Sequence, residues 1–391
     1  MNRIWSENKY IDIIINVLLF LTGINFMHYG QLILPVICFV LFIDRKLVFK
    51  VNNPLTFIVL CLFAVSFYAF SKKDFYCVMG FTCPMAYYIG SNILYPTEKN
   101  LKKIIYLLAL SMGFHVILSA IYEYIVHGHN GFFYSSTHYD VWTHEKISNT
   151  VTAVNIELLT GSLYYLLFHE KEKKIRILSL IVFIVSMFYL LVIGRRTPVM
   201  MLMIAFVMSF LYEAILLKGG SKKLRRSFFL LMGSGILVAG IIVMVYVLDL
   251  FGGRDFLKNY YIVQKFSQGL FGDKRIELYL GALKLMPQHL FGKQEISVIL
   301  GEQVHDFWLD IYDYAGIVSW ALMVFYSLLF MKDVICFYRS EKIGNDLKIL
   351  MVGILSCVII QHFLEPVMTA ASLFLLTGIL IHALLERTYL S

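Results

Sequence analysis

Apolar stretches separated by short polar breaks run through this chain from end to end. A helix that crosses a membrane needs about 20 mostly apolar residues, and about twelve stretches of that kind recur here. They cover roughly residues 11–27, 29–43, 54–70, 75–95, 103–126, 150–168, 177–193, 198–217, 228–248, 314–331, 349–365 and 367–386. The first two are short, and Gly30 and Pro35 interrupt the second, so this pair is either two spans or one re-entrant hairpin. The polar breaks are short except between 249 and 313. A connection that long inside a compact domain usually carries a function. Within it, 275–290 is amphipathic, and Ile276, Leu280, Leu283, Leu285 and Met286 form a candidate apolar face. The pattern predicts an all-α, polytopic membrane helix bundle of about twelve spans. Residues 1–391 form one integral membrane domain, in which the 249–313 extracytoplasmic loop holds a helix on the membrane surface or over the bundle mouth.

Composition agrees. Of 391 residues, 59% are hydrophobic and only 15% charged, with a mean hydropathy of +0.73. A soluble domain of this size could not hide that much apolar surface. The first apolar stretch lacks a small-residue cleavage site and is expected to stay as a helix. Net charge is +8, but in such a chain basic residues collect in cytoplasmic loops and do not indicate nucleic acid. Loops 44–53, 96–102, 169–176, 218–227 and 332–348 are rich in Lys and Arg, which puts them and both termini on the cytoplasmic side. The six cysteines show no metal-ligand spacing and no disulfide framework is expected.

Three segments fall outside. The first, 127–149, holds His127, His129, His138 and His144 without a ligand-type pair, so it reads as sugar-binding or structural aromatics. The second is the turn Gly194-Arg195-Arg196-Thr197-Pro198, where two arginines break the charge rule. Arginine at membrane depth is costly and usually has a partner. Its planar fork matches phosphate oxygens, and a proline-started helix adds a positive dipole end. The alternative is a snorkelling pair on lipid headgroups. The third is the long loop, where Arg275 opens the amphipathic segment as a further cation or a solvated charge paired with Asp273 or Glu277.

The loop ends in Val304-His305-Asp306-Phe307-Trp308-Leu309-Asp310-Ile311-Tyr312-Asp313-Tyr314-Ala315-Gly316-Ile317. At helical spacing His305, Trp308, Leu309 and Tyr312 share one face, and Asp306, Asp310 and Asp313 another. One face suits proton handling, and Trp308 and Tyr312 suit a sugar. Equally, this is an interfacial helix start with belt aromatics and a solvated acidic face. Within the spans, Asn16, Asn25, His115, Glu123, Asn155, Glu157 and His362 are the main polar residues.

Three segments, in order, resemble the O-antigen polymerase / O-antigen ligase family of membrane glycan-assembly enzymes. Ile193-Gly194-Arg195-Arg196-Thr197 resembles its Ser-Arg turn. Lys274-Arg275-Ile276-Glu277-Leu278-Tyr279 through Pro287 to Phe291-Gly292 resembles its Arg-x-x-x-aromatic segment. His305-Asp306-Phe307-Trp308-Leu309 through Tyr314-Ala315-Gly316-Ile317 resembles its His-(Asn/Ser)-x-x-Leu…Gly-Ile signature. The likeness covers roughly residues 180–335. It departs where Gly194 replaces a small polar residue, where Asp306 replaces Asn or Ser, and where a Gly-x-Gly is reduced to Gly292.

The resemblance implies a metal-independent, cofactor-free glycosyl transfer on the outer face of the bacterial cytoplasmic membrane. Donor and acceptor would be oligosaccharides on undecaprenyl diphosphate. Arg195 or Arg196 and Arg275 would bind the diphosphate, and His305 would act as general base. Asp306 is our candidate to orient that imidazole, and Glu365 is a weaker candidate acid/base that could equally cap or pair at the interface. Membrane lipids, a chain-length regulator and a flippase of the same pathway are the implied partners. The motifs do not separate polymerase from ligase. Polymerase is favoured because the chain departs freely from the tighter signature. A transporter or flippase of lipid-linked oligosaccharide and a non-catalytic assembly subunit are the competing classes.

Overall fold

The computed structural model describes residues 9–44, 48–71, 79–93, 97–134, 138–147, 149–195, 197–216, 229, 275–304, 306–365 and 367–390. Seven helical stretches among them are long and apolar enough to cross a membrane, and three shorter apolar helices accompany them. The helices carry inverted amphipathicity. The segment α3 (Pro54–Phe70) turns Val59, Phe63 and Phe67 inward, yet its exposed stripe is Leu55, Ile58, Leu62 and Val65. On α8 (Lys173–Val192) the exposed positions are Ile177, Ile181, Ile184 and Phe188. Helices apolar on both faces belong in lipid. This is an all-α membrane protein, with one small exception described below.

Two compact units emerge, each drawn from separated stretches of chain. The first comprises 1–112, 273–347 and 358–391, and the second 113–272 and 348–357. In the first unit α1 (Lys9–Gly23) turns back into α2 (Leu34–Asp44) through two short 3-10 turns. Asn25 is left-handed there, and its Oδ1 accepts a hydrogen bond from the Gly30 N–H. Asn53 caps α3 by accepting from the Leu55 N–H, with Pro54 opening the helix. The short α4 (Thr82–Asn92) brings Gly90 against the backbone of α15 (Ser372–Leu390), where a side chain would sit 2.6 Å from the Leu380 carbonyl oxygen.

The longest described apolar helix of this unit, α12 (Phe307–Arg339), lies along α3 and also touches α15. Ser319 donates to Ser66 at 3.0 Å, and Tyr314 stacks on Phe67. Deeper along it, Asp333 holds His382 of α15 at 3.0 Å, and the other ring nitrogen of His382 meets the Tyr326 hydroxyl at 3.1 Å. Tyr389 donates to the second Asp333 oxygen at 2.8 Å. Each polar atom of this buried cluster has its partner, as burial in an apolar bundle requires.

The expected span from 314 thus starts seven residues early, at Phe307, and continues to Arg339 with a break at Gly316 (φ 76°). A chain segment fills that break. Its Leu290 carbonyl accepts from the Ile317 N–H at 2.9 Å. The Lys293 and Gln294 N–H groups donate to the Tyr314 and Asp313 carbonyls at 3.1 and 2.7 Å. Gly292 (φ 71°) is the tip, and a Cβ there would lie 2.5 Å from the Gly316 nitrogen. The two glycines are needed for both their backbone conformation and their close approach.

The amphipathic segment of the long loop is helical as α10 (Arg275–Leu285), followed by a 3-10 turn over Met286–Gln288 and α11 (Glu295–Leu300). Its buried face differs from the expected one. Ala282 is buried, with Tyr279, Leu285 and Met286 packed around Ile296, Val304 and Tyr312, whereas Leu280 and Leu283 are exposed. The helix meets α11 and α12 along 279/282/286, and that leaves the larger leucines outward. Residues 249–274 of the loop, and the expected span 228–248 apart from Phe229, lie outside the described residues.

Residues 98–112 of α5 (Glu98–Tyr134) belong to the first unit and the rest to the second, where the helix continues past its break at Gly128. The α6 (Asn149–Val154) and α7 (Glu157–Phe168) helices divide one expected span, and α9 (Thr197–Leu211) follows α8. Gly161 of α7 meets Gly353, within α13 (Asn345–Leu364), at backbone distance. Residues 138–147, expected as irregular loop, form a hairpin in which β1 (His138–Tyr139) pairs antiparallel with β2 (Lys146–Ile147). The remaining helix, α14 (Val367–Ala370), is a single turn in the first unit.

Substituting Gly316 or Gly292 with Ala forces a left-handed L-residue, at about 1–2 kcal/mol from the backbone alone. It also drives a methyl into the opposite strand of the interlock. We expect either variant to melt clearly below wild type in detergent, while Gly301→Ala, at a left-handed helix end with open space around it, costs only the backbone term. Equal melting of all three would refute the interlock.

Candidate functional site

The sequence-derived site residues divide between the two units. Asp306, Trp308, Tyr312 and Glu365 fall in the first, as does the start of α10 at Arg275, and Arg195 falls in the second. His305 and Arg196 lie outside the described residues, as does the side chain of Arg275.

The three acids at the start of α12 are not a solvated face. All are buried, and each holds backbone or loop in place. Asp306 is the N-cap of α12, and its Oδ1 accepts from the Trp308 and Leu309 N–H groups, both at 2.9 Å. Burial pushes its carboxyl above the ordinary range, and those two N–H groups oppose the rise. Asp310 accepts from the Gln303 side-chain amide at 3.1 Å. Asp313 reaches sideways to cap α11, accepting from the Ile296 N–H at 2.9 Å and from the N–H and hydroxyl of Ser297. Tyr312 is buried and donates to the Met286 carbonyl at 2.6 Å, which ties the end of α10 to α12.

The Trp308 indole packs edge-on to Phe307 and near Phe363, and its Nε1–H is buried with no partner. Phe307 also meets His362 edge to face, centroids 4.5 Å apart. These residues line an apolar cavity of about 120 Å³ that continues along α12 past Met323 and Tyr326. Glu365 ends α13 one turn beyond His362. It is buried, and its carbonyl accepts from the Val367 N–H at 2.9 Å. The start of α12 and the end of α13 therefore meet at one place.

Arg195 stands just beyond α8, and its backbone is held by a Schellman cap. Gly194 takes the left-handed position (φ 72°) and donates to the Leu191 carbonyl at 3.0 Å, while the Arg195 N–H donates to the Leu190 carbonyl at 2.9 Å. The turn thus needs glycine where a small polar residue was the expected pattern.

Around Arg195 the second unit gathers polar residues that sequence reasoning left scattered. On α5, His115, Ser119, Glu123 and His127 recur every four residues and so face one way. Each meets the hairpin. His115 Nε2 lies 2.8 Å from Asp140 Oδ2, and the Asn155 amide donates to His115 Nδ1 at 3.0 Å. Ser119 accepts from the Val141 N–H at 3.4 Å and Glu123 from the Tyr139 N–H at 3.0 Å. His127 stacks on Tyr139, and Tyr122 on His144. Asp140 also closes the hairpin turn by accepting from the Trp142 and Thr143 N–H groups. Burial works against its charge, but the His115 contact and these N–H groups outweigh it and hold the carboxyl below its ordinary value. A four-residue polar repeat inside an apolar helix was the signal available for this arrangement.

No protein-family model matches the chain, and no curated protein matches it. The functional reading therefore rests on the residues and their geometry.

His138 is buried under the hairpin. Burial, with the positive charges of Arg195 and Lys146, lowers its pKa to about 4. The folded value thus lies below the unfolded one, near 6.5. The unfolded state binds the extra proton between these values, so His138 contributes its stability in full above about pH 6.5 and loses it as pH falls toward 4. Asp140, held low, still favours the fold across that window. We expect hydrogen exchange across 138–147 to accelerate as pH is lowered through it, after correction for intrinsic rates, and His138→Gln to flatten that dependence. Asp140→Asn should loosen the hairpin at every pH. An unchanged acid response in His138→Gln would exclude this histidine as the source.

Proposed function

We propose that this protein polymerises a surface polysaccharide, transferring a glycan from undecaprenyl diphosphate onto the next lipid-linked repeat unit at the outer face of a bacterial cytoplasmic membrane. The observation that carries this reading is the interlock of 290–294 with 313–317. Two segments of the family resemblance, separated in sequence, are built as one piece. The helix headed by Arg275 and the helix entered from His305-Asp306 are joined through Tyr312 and Met286. A shared site needs such rigid support.

In this mechanism His305 takes the proton of the acceptor hydroxyl as its oxygen attacks the donor's anomeric carbon. The bond from that carbon to the diphosphate oxygen breaks, and undecaprenyl diphosphate leaves. Arg195 or Arg196, with Arg275, neutralises the charge that develops on it. Asp306 acts through the helix it caps. In-span polar residues also bear on the alternatives. His115 and Glu123 are engaged with the hairpin, and Asn155 with His115, which favours an outer-face enzyme over a polar path through the bilayer.

The test is His305→Ala in the native host, with the protein level checked in membranes and the surface glycan resolved on a gel. Collapse to single repeat units with protein present is the expected result. Long lipid-linked chains that never reach their final acceptor would indicate a ligase. An unchanged ladder would remove the polymerase reading and leave a transporter or assembly subunit. Asp306→Ser, which keeps a capping oxygen, should retain the ladder, whereas Asp306→Ala should lose roughly 0.5–2 kcal/mol of stability. A collapsed ladder in Asp306→Ser at normal protein level would instead give this carboxylate a part in the chemistry.

A further inference from the structure

Buried polar side chains nearly always find a partner. His138 is fully buried, and neither of its ring nitrogens has one. Tyr189, on the last turns of α8, is equally buried, and its hydroxyl has none. The two rings touch edge to face, centroids 5.9 Å apart. Phe132 stacks on Tyr189, centroids 5.5 Å apart. Two side chains thus bring three unused polar atoms to one spot, six residues before Arg195 along the same helix end.

The charges around that spot are mixed in sign. Arg195 and Lys146 act on His138 as positive charges, and the Glu123 carboxylate, held by the Tyr139 N–H, faces Tyr189. Asp140 lies two residues from His138 but is spent on His115 and the hairpin turn. The polar groups without a partner at this spot are the neutral imidazole and the phenol, and Arg195 adds positive charge beside them.

We propose that His138 and Tyr189 complete an anion site with Arg195 that takes a phosphate or diphosphate ester. The Tyr189 O–H and the His138 N–H donate to its non-bridging oxygens, and the guanidinium supplies the charge. The bound anion also favours protonation of the imidazole, whose second nitrogen then becomes a donor, so binding is accompanied by proton uptake. The inference rests on the reading of Arg195 as a diphosphate contact and extends it to two residues outside all three motif segments.

The experiment is calorimetric titration of the full chain in detergent with inorganic pyrophosphate, in buffers of different ionisation enthalpy, between pH 5 and 7. Wild type should bind more tightly at the lower pH and take up protons. His138→Gln should weaken binding about tenfold, the loss of one charged hydrogen bond, and reduce the uptake. Because the Tyr189 hydroxyl has no partner in the fold, Tyr189→Phe should melt like wild type yet bind several-fold more weakly, so it tests the site even where His138→Gln misfolds. If Arg195→Gln alone loses pyrophosphate, while Tyr189→Phe and His138→Gln bind with unchanged affinity and uptake, the inference fails and the reading of Arg195 survives. If Arg195→Gln binds like wild type, or wild type binds nothing, the diphosphate assignment falls and this inference with it.

Discussion

A helix interrupted inside an apolar bundle exposes backbone groups that lipid cannot satisfy. In this protein the interruption is at Gly316, and its groups are satisfied by 290–294. Much of the first unit depends on that pairing. It fixes where segment 290–294 lies, because the Lys293 and Gln294 N–H groups donate to the Tyr314 and Asp313 carbonyls. It sets the direction in which α12 begins, and so where Asp306, Trp308 and Tyr312 stand. It also explains why three carboxylates can be buried within eight residues. Asp306 caps its own helix, Asp313 caps α11, and Asp310 holds Gln303. Each replaces a backbone or amide contact that water would otherwise provide.

The second unit uses a different device. A hairpin too short to be stable alone is held on a membrane helix by a polar stripe at four-residue spacing. Asp140 does two things at once, closing the turn with one oxygen and reaching His115 with the other. The result is an ordered roof beside Arg195, whose own position follows from the glycine-dependent end of α8. Both units thus hold their candidate residues on capped helix ends, where backbone donors and acceptors are already oriented.

Some of this was legible in the chain. The predicted span 54–70 coincides with α3, because Pro54 starts it, Asn53 caps it and every residue between is compatible with lipid or core. The turn at 194–198 separates α8 from α9 as expected. Of the two readings of 306, 310 and 313, burial removes the solvated face, because helical spacing shows which side chains share a side and not what meets them. The amphipathic helix was found, but its buried face was assigned by residue size. Ala282 is the buried position, in a cluster with Ile296 of α11 and Tyr312 of α12. His138, Asp140 and Tyr189 carried no local signal of their relation, since 138 and 189 are joined only by the return of α8 to the hairpin.

Length and hydropathy in the chain were enough to establish a helical membrane protein, where many of its spans run, and which unusual residues stand at their ends. The bilayer makes those features local: each span must satisfy its own backbone and present apolar side chains, so composition and length alone reveal it. The tertiary structure alone decided what the polar residues do. Whether a buried carboxylate caps a helix, braces a hairpin or faces a ligand depends on which distant backbone comes within 3 Å of it. That is set by the packing of helices far apart in the chain and leaves no periodic trace in either one.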